Sequence, residues 1–189
     1  MRPQALVDVA ESDVLPSALT DLHKSIAACE AAGFRLLGYL TSGSRLGRDE
    51  IWSAELLHRD GYAAASAKWV QVHNVDVTVQ EKSLMCGSLR TDGTVLATCN
   101  LKKQLMFEEL FPPKYRYLNL GPGADPQEVI RRHFERISSE PLLIRFDSNS
   151  WRRQLLNESQ ELFDYQLKRG FLRPLTNEEI ALLTESQRK

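Results

Sequence analysis

No apolar run in this chain of 189 residues approaches the roughly 18 that a membrane-spanning helix needs. No excess of positive charge is present either. The 24 Lys and Arg residues stand against 25 Asp and Glu, which argues against a surface built for nucleic acid or an anionic membrane. The opening stretch "MRPQALVDVAESD" reaches Asp8 before an apolar segment can form, so no secretory leader is expected. Cysteine is scarce: Cys29, Cys86 and Cys99 form an odd set of 3 without a CxxC pair, as expected of reduced thiols in a cytoplasmic protein. His73, Cys86 and Cys99 do not have the spacing of a zinc site and lack a fourth ligand. No metal and no cofactor is therefore expected.

What is present is enough to fold. Apolar residues make up 42% and charged residues 26%, near the average for globular chains, so a core can be buried. The length suits one domain. An α+β unit over 1–146 and a helical segment over 147–189 are expected to share one core. In residues 15–29, Leu15, Leu19, Leu22, Ile26 and Cys29 step by three and four, one stripe of an amphipathic helix. Gly33 followed by Phe34 supplies a C-terminal stop, so a helix is predicted over about 16–32.

From Phe34 to Leu120 the period changes to two. Two Asp-Gly turns stand in that region, "LLHRDGYAAASAK" (56–68) and "SLRTDGTVLATCN" (88–100). Register can be read from which pairing keeps one face uniform. In the first, a two-residue Asp60-Gly61 loop opposes Trp52 to Trp69, Ala54 to Ala67 and Leu56 to Ala65. Ser53, Glu55, Ser66 and Lys68 then share the other face. In the second, a three-residue loop at Thr91-Asp92-Gly93 opposes Leu89 to Val95, Gly87 to Ala97 and Met85 to Cys99. That pairing also sets Cys86 against Thr98, away from Cys99. The expected fold is an N-terminal helix on a curved antiparallel sheet of about five or six hairpin-rich strands with one wet face, followed by C-terminal helices. Asp125, Pro126 and Glu128 open one of these helices. "PLLIRF" reads as a short buried strand, and helices are predicted over 151–169 and, behind a Thr176/Glu179 capping box, over 177–187.

Candidate chemistry is sparse. His58 and Asp60 form the nearest thing to an acid–base pair, yet they sit at a turn tip where Asp60 already serves the backbone. His133, beside Phe134, reads as a surface or half-buried histidine. The loop "SGSRLGRDE" (42–50) offers Arg45 and Arg48, whose forks suit a phosphate or carboxylate, although such loops are ordinarily just solvated. "GPGADP" (121–126) imitates a phosphate loop, but Asp125 occupies the anion position and Pro126 has no N–H to give.

The least expected feature is "AAASA" (63–67) between Trp52 and Trp69. Either a helix packs closely on those small residues, or an apolar ligand lies between the tryptophans. The expected ligand residues are Trp52, Ala54, Ala65, Ala67 and Trp69, with Arg45 and Arg48. No catalytic residue is assigned. These features point to a non-catalytic binding or adaptor domain for a small apolar or amphipathic ligand or a partner protein. The amphipathic C-terminal helices also offer a surface for a homodimer. The alternative is a small cytoplasmic hydrolase or transferase using His58, Asp60, Arg45 and Arg48.

Overall fold

The alternation read along the chain becomes one sheet of eight strands in a computed structural model. It describes residues 7–43, 50–73, 78–102, 110–140, 143–149, 151–173 and 176. The strands are β1 (Val7–Val9), β2 (Phe34–Gly43), β3 (Glu50–His58), β4 (Ala64–His73), β5 (Thr78–Arg90), β6 (Val95–Cys99), β7 (Tyr115–Asn119) and β8 (Leu143–Ile144). β1 to β7 lie in sequence order across the sheet, and β8 pairs with β5. The class is α+β, with more strands than expected. All pairs are antiparallel except β6 and β7, which run parallel.

Both hairpin registers match the pattern argument: Trp52 opposes Trp69 and Ala54 opposes Ala67, while Gly87 opposes Ala97 and Cys86 opposes Thr98. The second turn is closed by Arg90 and Thr94, with Gly93 at φ 81°. The first is wider than a two-residue loop. Pairing stops where the His58 N–H meets the Ala63 carbonyl at 2.9 Å. Asp60 then accepts the Tyr62 N–H at 2.9 Å inside the loop.

Helix α1 (Pro16–Ala31) ends at Gly33, whose φ of 93° only glycine adopts without strain. It buries Ala18, Leu22, Ile26 and Cys29 on Ala54, Leu56, Ala65, Ala67 and Trp69. Helix α2 (Pro126–Ile137) begins as read, with the Asp125 carboxylate accepting the Glu128 N–H at 2.8 Å. It lies beside α1 on the same face and buries Val129, Ile130 and Ile137. From α2, Arg136 donates to the Ala97 and Arg116 carbonyls, both at 2.9 Å, and so ties β6 to β7. Helix α3 (Trp151–Lys168) stands over the opposite face near β7, where Glu161 pairs with Lys114 and Gln166 reaches the Leu110 carbonyl.

The sheet therefore has no simple wet side. Ser88 and Thr98, which share the polar face of the second hairpin, are fully buried beneath α2, and so is His133, which reads from the sequence as a surface or half-buried histidine. These three satisfy one another. Ser88 Oγ gives its only proton to the Tyr62 carbonyl at 2.7 Å. His133 Nε2, 3.0 Å away, must then donate to that oxygen, which leaves Nδ1 to accept from Thr98 at 3.2 Å. The ring is neutral, and burial lowers its pKa from 6.5 to about 4, helped by the charge of Arg136. The strand in "PLLIRF" is two residues long, and Ile144 is exposed, because β8 meets only the end of β5. The helix expected over 177–187 lies outside the described residues. Among the described residues no helix is long and apolar enough to cross a membrane.

Because the folded pKa of His133 lies below its unfolded value, the unfolded chain binds the extra proton as pH falls. The contribution is complete above about pH 6.5 and lost toward pH 4. It amounts to about 3 kcal/mol at 1.36 kcal/mol per unit. Denaturant unfolding of wild type and His133→Gln at pH 7.5 and pH 4.5 checks this. The variant is expected to be about 1–3 kcal/mol less stable at the higher pH and to lose clearly less on acidification.

Candidate functional site

The two faces of β3, β4 and β5 differ in what they carry. Toward α1 point Ala54, Ala65, Ala67 and Trp69. Toward α3 point Ser53, Glu55, Ser66, Met85 and Gly87, since partners across antiparallel strands share a face. β6 and β7 extend that second face with Val95, Ala97, Tyr115 and Tyr117. Small residues at Ala64, Gly87 and Ala97 leave a cavity of about 120 Å³. Leu89, Met85, Val95 and Phe146 supply apolar wall, and Tyr115 and Tyr117 close one side. Glu55 from the sheet and Glu158 from α3 face the same space.

Glu55 is an unusual residue to find in this position. It is only 7% exposed, and one oxygen accepts the Ser66 hydroxyl at 2.8 Å. Burial raises its pKa above the ordinary carboxylate range, against the opposing effects of the Lys68 charge and the Ser66 and Ser53 hydroxyls. Glu158 is raised too, first by burial, with Glu161 and Glu55 adding repulsion while Gln154 and Lys114 oppose it. Burial likewise pushes the Tyr115 and Tyr117 hydroxyls up. The result is an apolar pocket with a polar end made of two acids that resist ionisation. Such an end accepts a donor from a bound molecule or holds a cation.

The residues singled out from the sequence are placed differently. Ala54, Ala65, Ala67 and Trp69 are buried beneath α1, and Trp52 packs against the same core. Close helix packing, the other reading of the alanine run, accounts for them, and only Ala65 of this group also borders the cavity. The indole N–H groups of Trp52 and Trp69 are buried without an acceptor among the described residues. Arg45 and Arg48 lie outside the described residues.

His58 is not at an exposed tip. It is 9% exposed, with Nδ1 2.7 Å from Asp60 Oδ1 and Nε2 3.1 Å from the Ala32 carbonyl at the end of α1. Phe34 and Phe134 meet its ring edge-on at 5.1 and 5.0 Å. Both nitrogens are engaged, so the pair clamps the helix terminus to the hairpin and leaves no atom for a substrate. Burial pushes the Asp60 carboxyl up, but the His58 and Tyr62 hydrogen bonds, the His58 ring and the Arg145 charge together bring it below its ordinary value.

All three cysteines are free and buried, and burial raises the pKa of each. Among the described residues no group of His, Cys, Asp and Glu is arranged to hold a metal ion. Comparison with protein-family models, with curated proteins and with solved structures finds no match. The functional reading rests on geometry alone.

Glu55 was visible as a partner of Ser66, but nothing local said that a third layer would cover it. Tyr115, Tyr117 and Glu158 come from segments whose meeting is set by the parallel strand and α3.

Two outcomes follow for variants. His58→Ala is expected to cost about 1–3 kcal/mol, read as a lower unfolding midpoint, because a part-buried carbonyl and a carboxylate lose their partner. Glu55→Gln keeps an acceptor for Ser66 and removes a charge that burial disfavours. A raised folded pKa makes ionisation unfavourable above about pH 4.5, the unfolded value, and neutral below it. The variant should therefore melt higher than wild type at pH 8, with the gain vanishing near pH 4 in a thermal melt series.

Proposed function

We propose that this chain is a binding domain for a small amphipathic molecule. The molecule lies between the sheet and α3, its apolar part on Met85, Leu89 and Val95 and a donor end toward Glu55 and Glu158. One observation carries the reading. Gly87 stands inside β5 with ordinary backbone, yet a Cβ built there meets nothing within 4 Å. Protein interiors are close-packed, and a strand-interior glycine facing open space marks a place where another group approaches. A donor from that group also relieves the buried acid, which otherwise weakens the fold.

Size restricts the occupant. A cavity of about 150 Å³ takes benzene, so the buried part of the molecule is about five or six non-hydrogen atoms. A second reading, chemistry on the bound molecule, draws on Glu55 and Glu158 sharing one cavity, an arrangement that suits general acid–base work.

Cyclopentylamine and cyclopentanol test the proposal. Each is titrated into the protein while backbone amide shifts are followed by NMR. Saturable shifts at Gly87, Leu89 and Ala97 are expected. Gly87→Leu, which fills the space, should weaken binding at least tenfold without lowering the melting temperature. Absence of shifts with both probes, or unchanged binding in Gly87→Leu, removes the reading. Turnover of an identified ligand that Glu55→Gln abolishes while binding persists would select the catalytic version.

A further inference from the structure

A second cleft of about 380 Å³ lies on the other side of Phe146, which borders both it and the cavity. Its walls come from three places: Arg35 near the start of β2, Leu57, His58, Arg59 and Gly61 at the first hairpin, and Arg145 to Ser148 after β8. The Phe146 N–H donates to the Gly61 carbonyl at 2.7 Å, which fixes the last segment against the turn. Arg35, Arg59 and Arg145 therefore converge on one opening.

Two of these arginines are seated on glycine backbone. A Cβ at Gly61 would lie 2.6 Å from Arg145 Cγ and 3.0 Å from its Nε. A Cβ at Gly33 would lie 3.4 Å from Arg59 Nε. Each glycine has positive φ, so each leaves a flat patch on which an arginine rests. Arg59 and Arg145 thus rest against backbone at the cleft, and Arg35 borders it from β2. Among the described residues none of the three arginines forms a salt bridge with a carboxylate. Asp147 lines the cleft as well, and the charge of Arg145 also acts on Asp60, which is bound to His58. Three cations against one lining carboxylate leave the cleft positive.

We propose that this cleft binds the phosphate group of a small phosphate ester. Arginine forks match the geometry of phosphate oxygens, and Ser148 adds a hydroxyl at the rim. The cleft is larger than inorganic phosphate requires, so the organic part of an ester has space beside Phe146 and Leu57.

The test titrates inorganic phosphate, glycerol 1-phosphate and acetate into the full chain at ionic strength matched with sodium chloride. Amide shifts at Arg59, Gly61 and Phe146 are followed by NMR. Saturable shifts are expected for both phosphates, tighter for the ester, with acetate at least tenfold weaker. Arg59→Met with Arg145→Met should weaken phosphate at least tenfold; both side chains are exposed, so folding is retained. Lys24→Met, removing an exposed cation on α1, should change nothing. Shifts that track total salt, acetate binding as well as phosphate, or equal weakening by Lys24→Met would each overturn the proposal. So would unchanged phosphate binding in the double arginine variant.

Discussion

The pairing of Ala54 with Ala67, one residue out of step with Glu55 and Ser66, is the constraint on which the molecule turns. A strand shifted by one residue would send an acid into the face that α1 covers and an alanine toward α3. In the observed register, single-carbon side chains allow α1 to lie close on the sheet, and the core forms there. The same register commits Glu55 to the opposite face, where it is buried again by α3 and the segment before it. One alternation thus produces a tight interface on one side and a loosely filled one on the other. The first holds the fold, and the second has room for chemistry.

The histidines show how context divides one residue type into two uses. His133 is enclosed by hydroxyls and stays neutral, which makes it a polar rivet between α2 and β5–β6. His58 joins a carboxylate to a helix-terminal carbonyl and locks the hairpin against α1. Each is explained by the partners it satisfies, and neither is left over for catalysis. The acids at the cavity are the opposite case. Their environment opposes their charge, and nothing in the fold requires it.

Both hairpin registers, the limits of α1 and the start of α2 were legible in the residues, because alternation, Asp-Gly turns and the Asp125 cap act over a few positions. What covers each face was not. Ser88 and Thr98 look like solvent-facing residues until His133, from a helix some 35 positions beyond Thr98, satisfies them. β7 sits between Pro112-Pro113 and Gly121, where no alternation signals a strand partner, and its parallel pairing with β6 depends on a connection that local pattern does not encode. The cavity was hidden for the same reason. Its lining is drawn from β3 to β7 and α3, so only the assembled layers reveal that Gly87 faces space.

The three enclosed sulfurs give the molecule an internal gauge of its own opening. Cys29 sits on α1, Cys86 on β5 and Cys99 on β6, each shut away from solvent and poorly disposed to form a thiolate. An alkylating reagent can label them only in molecules that have momentarily come apart. Whether the sulfur on the helix is labelled before the two on the strands records whether α1 lifts off first or the whole sandwich opens at once.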